Sequence, residues 1–335
     1  MIRFAWLQFR TEAIVAALGL VAVAVVLAVT GPSLVHLYYT SVVTCSANHD
    51  CSTVTTTFLD TDGPLQIGSD FLVLLVPGLM GMFWGAPLVA REFETGTFRL
   101  AWTQGVTRTR WLAVKLGFGT FAAMVVTGLL SLMVTWWSSR IDQVRMNSFD
   151  PLVFSVRDIA PIGYAAFAFV LGFTAGLMMR RMLPAMATAL VGFVAARLAI
   201  SSWVRPGLVT PFHKTVAINL NTALNIGLTQ AGVHVTATTR GVLPGDWALA
   251  AKIVDIGGHS PTARFLDRAC PFSKTTFQPN LPACIAHLGA RFHVLLTYQP
   301  MSHYWVLQWY ETGIFLCLAA ILAAICFLTI RRPIS

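Results

Sequence analysis

Charge is scarce in this chain. Only 11% of its 335 residues are Asp, Glu, Lys or Arg, against about a quarter in soluble domains, while 56% are hydrophobic. With a mean hydropathy of +0.69, a soluble globule and a disordered chain are both excluded. Six cysteines in a chain of this length are too few for a disulfide scaffold. No G-x-x-x-x-G-K-[ST] run occurs, so a phosphate cradle of that kind is missing. There is no H-E-x-x-H pair either, and His287 and His293 make only a weak spacing, so no metal site is expected. Paired intramembrane aspartates, a Ser-Lys dyad and a nucleophile elbow are lacking too, which argues against a membrane protease.

Long apolar runs are what the chain does have. About 20 apolar residues cross a hydrocarbon core about 30 Å thick, and six stretches qualify: Ala13–His36, Phe71–Ala90, Leu116–Trp137, Pro161–Met179, Leu183–Val204 and Val306–Ile330. The first is too long for a secretory signal core and no small-x-small site follows it, so it reads as an uncleaved span. Placing both termini in the cytoplasm puts eleven Lys and Arg in segments 1–12, 91–115, 180–182 and 331–335. The short outer loops 37–70 and 138–160 then hold three, the bias that orients membrane proteins. The net charge of +9 is thereby a membrane-surface feature that favours anionic inner-leaflet lipid and needs no nucleic-acid partner.

The expected fold is an all-α polytopic membrane protein with six transmembrane helices, cytoplasmic termini and an extracellular insertion before the last helix. Residues 1–12 place Ile2, Trp6, Phe9 and Ala13 on one face, the pattern of an interfacial amphipathic helix. Spans one to five occupy 13–204, the outer domain 205–305, and the sixth span with its tail 306–335. Within the outer domain, Val233–Ala237 reads as strand, and Trp247–Val254 and Ile285–Leu288 as short helices. Cys45, Cys51, Cys270 and Cys284 fall outside, where disulfides persist. Of three possible pairings, Cys45–Cys51 with Cys270–Cys284 closes the shortest loops and is the one expected.

Two intramembrane features invite a functional reading. Span two carries Pro77, Gly78, Gly81, Gly85 and Pro87. Gly81-x-x-x-Gly85 permits close helix approach, either in ordinary packing or at a dimer interface or transport path. Beside it, Met80, Phe83 and Trp84 offer a soft apolar lining for a substrate. Arg197 and Glu311 are the acid and base well inside the spans, at roughly 10 and 8 Å from the same edge by helical rise. Burying either alone is costly, so an ion pair pinning span five to span six is expected, the alternative being that each reaches polar surroundings independently.

The segment after span two is the most informative. Phe93, Thr97, Leu100 and Gln104 recur at helical spacing, Gly105 reads as a stop, and Thr107 as the cap of the next helix. A short amphipathic helix over 92–104 is expected, either reversing the chain or fitting a groove on a soluble partner. The order Glu-x-Glu-Thr-Gly-Thr, short helix, Gly-x-Thr-Arg and basic re-entry resembles the coupling-helix region of permeases in the type-2 family of ATP-binding-cassette exporters. The six-span layout resembles that family as well. Tyr298-Gln299-Pro300, Trp305 and Gln308-Trp309-Tyr310-Glu311-Thr312-Gly313 resemble a C-terminal pattern of actinobacterial members. An outer segment of about a hundred residues is larger than in typical drug-exporting members. The resemblance implies a permease that is not an enzyme. Two copies of a separate ATPase would hold ATP and magnesium. A second permease copy, a homodimer, would complete the path in the plasma membrane. It implies that Glu92, Phe93, Glu94, Thr95, Gly96, Thr97, Phe98, Arg99 and Trp102 face the ATPase. The competing reading is a non-transporting receptor or immunity protein whose outer domain binds a ligand.

Overall fold

Each of the six apolar runs folds as a helix in a computed structural model of the chain, which describes residues 2–45, 51–96, 107–145, 148–218, 224–229, 232–237, 245–270 and 281–331. Among them, six helical spans are long and apolar enough to cross a membrane: Arg10–Val43, Thr53–Thr95, Arg108–Arg145, Ala160–Met179, Met182–Gly207 and Met301–Arg331. All but span four exceed what a bilayer core requires. The surplus is polar helix: span two begins 18 residues before the expected Phe71, through a Thr-rich stretch with Asp60, Asp62 and Asp70. Residues 2–12 are continuous with span one in one helix, Ile2–Leu37.

The chain forms two compact units. One comprises residues 1–145, 151–205 and 305–335; the other comprises 146–150 and 206–304. In the helical unit span four is central, with Tyr164, Phe167, Phe169 and Phe173 in the main core together with Phe315 of span six. Span one is peripheral. It packs along span three, where the Trp137 indole N–H donates to Thr30 Oγ1 at 3.0 Å. Between spans three and four a short helix, Pro151–Val156, is buried rather than loop-like.

The all-α description holds for the spans, while the second unit has, among its described residues, the strand expected at Val233–Ala237 and four more. Strands β1 (Phe212–Ala217), β4 (Trp247–Val254) and β5 (His293–Gln299) form an antiparallel sheet in the order β1-β5-β4, and β2 (Leu224–Thr229) pairs with β3 (Gly232–Ala237). The misread element is β4. Its Ala, Leu and Lys favour helix locally, but pairing with β5, Trp247 opposite Gln299 and Val254 opposite His293, overrides that preference. Val294 and Leu296 of β5 alternate inward onto Leu288, Phe292, Cys270 and Cys284.

Both local cysteine pairs lie at disulfide distance, with Cα separations of 5.7 Å for Cys45–Cys51 and 4.4 Å for Cys270–Cys284. The second joins helix Leu281–Gly289 to the end of helix Ala263–Ala269. Closing that loop contributes about 3 kcal/mol by chain entropy, in a unit with one small core. Cys284→Ser is therefore expected to make the insertion protease-sensitive while the spans stay intact, read by limited proteolysis of the full chain.

Candidate functional site

The helix of span two continues without a break through Ala86–Thr95 and stops at Gly96, whose φ of +72° suits glycine at a helix end. Glu92, Phe93, Glu94 and Thr95 are thus the last turn of span two and not the start of a separate helix. Thr97, Phe98, Arg99 and Trp102 lie outside the described residues, as does the rest of the helix expected over 92–104.

That last turn is tied to two neighbouring spans. Glu92 pairs with Lys115 of span three, which is buried and sits over the Trp111 ring at 4.8 Å. Glu94 accepts the Met182 backbone N–H at 2.8 Å, so it caps the first turn of span five. Phe93 lies under the Arg180 guanidinium at 5.8 Å. Arg180 ends span four with a φ of +55°, an uncommon conformation for a non-glycine residue, and Arg181 is extended. This two-residue reversal starts span five within reach of Glu94.

Further along span two, Gly81–Gly85 is a π-helical turn, a distortion frequent at functional sites. Its two glycines press against span four. A Cβ at Gly85 or Gly81 would fall well inside 3.0 Å of the Phe169 or Ala168 carbonyl oxygen. The Gly81-x-x-x-Gly85 face is thus a packing surface within the chain. On the other side, Met80, Phe83 and Trp84 line an almost wholly apolar cavity of about 290 Å³, with Gly19 and Leu20 of span one and Val126 and Leu130 of span three.

The expected Arg197–Glu311 pair is not formed. Glu311 pairs with Arg205: Nε donates to Oε2 at 2.6 Å and Nη2 to Oε1 at 2.8 Å, with both residues buried. Tyr164 also donates to Glu311, and Arg205 Nη2 donates to Ser155. Arg197 lies instead over the Tyr164 ring at 4.6 Å and reaches the Leu74 carbonyl oxygen at 3.4 Å. Helix continues past Arg197 as a π-turn over Ile200–Val204, which carries Arg205 inward; read linearly, Arg205 stands outside the span. Trp203, 82% exposed, and Trp309, 65% exposed, lie two residues before Arg205 and Glu311, marking this as an interfacial depth.

A second buried network escaped sequence reasoning altogether. Arg157, read as an outer-loop residue, is 3% exposed and pairs with Asp70 and Asp142. Asp142 also accepts from Gln66 and Ser138. Burial pulls the Arg157 pKa down, but Asp142 and Asp70 more than reverse this and hold it above its ordinary value. The available signal was Ser138, Ile141, Asp142 and Arg145 at helical spacing beyond the apolar run. Among the described residues, no three His, Cys, Asp or Glu side chains are grouped to hold a metal.

Membrane-length helices around a buried central span, with ionic clusters inside the bundle, define a polytopic membrane protein. A family model described as "ABC-2 membrane transporter related" matches residues 17–205, more than half of the chain, and the chain belongs to that family. No curated protein and no solved structure matches it. The match ends at Arg205, one residue before the long part of the second unit begins. Permeases of this family are membrane subunits without an ATPase site of their own, and membership implies an ATP-binding-cassette ATPase as partner.

Proposed function

We propose that this chain is the permease subunit of an ATP-driven exporter in the plasma membrane, moving an amphipathic or hydrophobic substrate such as a drug, peptide or lipid outward. Both termini and the 91–115 end face the cytoplasm, and the insertion faces out. Two permease copies, as a homodimer, work with two ATPase chains that hold ATP and magnesium. The supporting observation is the three-way tie at the end of span two. A push received over 92–104 moves Glu92 and Glu94, and with them the starts of spans three and five. Relative tilting of helix groups then alternates access. The apolar cavity beside Met80, Phe83 and Trp84 suits a substrate with little charge.

Co-expression with the partner ATPase tests this. A stoichiometric complex is expected, lost on deleting 92–104. Glu94→Ala should keep the complex but lower transport-linked ATP hydrolysis roughly tenfold, since a hydrogen bond to a charged group contributes about 1.5 kcal/mol or more. A chain that purifies without any ATPase overturns the reading. The substrate path has its own test at Gly19, where a Cβ meets nothing within 4 Å. Gly19→Phe is expected to fill the cavity and stop transport without changing the melting midpoint, and unimpaired transport would place the path elsewhere.

A further inference from the structure

Two of the buried ionic clusters among the described residues of the helical unit differ in their charge balance. Around Arg157 the cations Arg157 and Arg145 stand against Asp70 and Asp142, a neutral set. Around Tyr164, among the described residues, the cations Arg197 and Arg205 stand against Glu311, an excess of one positive charge. Among the described residues, the titratable groups near Arg197 are Tyr164, Glu311 and Arg205, with no aspartate.

Hydrogen bonding shows the same imbalance. Glu311 is fully engaged: Oε2 accepts Arg205 Nε, and Oε1 accepts both Arg205 Nη2 and the Tyr164 hydroxyl. Arg205 is 1% exposed, and its Nη1 has no hydrogen-bond partner. Arg197, 9% exposed, has among the described residues one long bond, to the Leu74 carbonyl at 3.4 Å, for a group with five N–H donors. None of its nitrogens is a fully buried orphan like Arg205 Nη1. The two guanidiniums share Tyr164 as a neighbour: Arg197 lies over its ring, and Arg205 donates to the same Glu311 oxygen as the Tyr164 hydroxyl does. Water could satisfy the free donors, but not the buried charge. A divalent anion would overcompensate it.

We propose that Arg197 and Arg205 bind one monovalent anion, a halide or a carboxylate, beside Tyr164. A halide would come from solution, and a carboxylate from the head of an amphiphile. The site is independent of ATPase coupling, so the full chain purified alone in uncharged detergent is the material to test.

Thermal unfolding, followed by tryptophan fluorescence at constant ionic strength, separates the outcomes. Replacing sulfate with chloride or bromide is expected to raise the midpoint saturably, by roughly 3–6 °C for a bound ligand well above its Kd. A rise with octanoate but not with octanol or halide assigns the site to a carboxylate headgroup. Arg197→Gln removes the surplus charge. It is expected to abolish the anion response while melting no lower than the wild type in sulfate. A purely structural Arg197 would instead lower the midpoint equally in every salt. A wild-type midpoint indifferent to all the anions, or an anion response unchanged in Arg197→Gln, overturns the proposal.

Discussion

Replacing Gly172 with alanine is expected to destabilise the helical unit more than any other single-methyl change in spans two to four, by roughly 3 kcal/mol or more. The added Cβ would lie 3.0 Å from the Ala86 backbone nitrogen and far closer to the Gly81 carbonyl oxygen. Backbone of a neighbouring helix cannot rotate away as a side-chain tip can. The arrangement is reciprocal: Gly81 and Gly85 of span two meet the Ala168 and Phe169 carbonyls, while Gly172 and Gly176 of span four meet those of Gly81 and Ala86. Gly119→Ala should cost less, because its obstacle is the far edge of the Phe169 ring, and Gly117→Ala should be near neutral, since nothing lies within 4 Å. Melting midpoints of the purified chain check this order. A Gly172→Ala protein that melts with the wild type would show that spans two and four do not approach this closely. On the proposed function the same contact has a mechanical consequence. Spans two and four are in backbone contact from Gly81 to Ala90 and would tilt as one body when the end at Glu92–Thr95 is pushed.

The six spans were legible because an apolar run of membrane length is rarely found except where a chain crosses a bilayer. Their ends were not, and the reason lies in particular residues. Hydropathy registers apolar side chains, whereas a helix persists while its backbone hydrogen bonds do. Thr53–Asp70 and Ser138–Arg145 therefore continue as helix through polar sequence. The same blindness removed Arg205, Asp70, Asp142 and Arg157 from consideration, since each stands just beyond an apolar run and looks solvent-exposed. Depth arithmetic then offered Glu311 the wrong arginine. Arg197 does lie near it, but a π-turn adds a residue per turn that no linear count contains. Glycine spacing was legible as close packing, while its partner, span four, was not. In the insertion, β4 was lost to local helix preference, whereas the short disulfide loops were readable from spacing alone.

Glu311→Gln is expected to lower stability by about 3–5 kcal/mol, the cost of leaving buried charge without its partner. Here two guanidiniums would be left, Arg205 at bonding distance and Arg197 across the Tyr164 ring. Removing the pair together, as Arg205→Met with Glu311→Leu, should cost far less, because well-packed apolar side chains can replace a buried ion pair. A double-mutant cycle distinguishes the two arginines. Coupling on the order of 3 kcal/mol is expected between Arg205 and Glu311, and a clearly smaller value between Arg197 and Glu311, whose interaction lacks a direct hydrogen bond. Equal couplings would mean that Glu311 exchanges between them. The damage should also reach the short helix Pro151–Val156. Arg205 holds it through Ser155, and Gln308, one turn before Glu311 on span six, donates to the Phe154 carbonyl at 2.9 Å. Losing Glu311 loosens one of these two fastenings directly and tilts the turn that carries the other. Protease cleavage within 148–159 is therefore expected to rise in Glu311→Gln well below its melting midpoint, and to rise in the doubly apolar variant too, which lacks the Arg205–Ser155 bond altogether but keeps the Gln308 fastening.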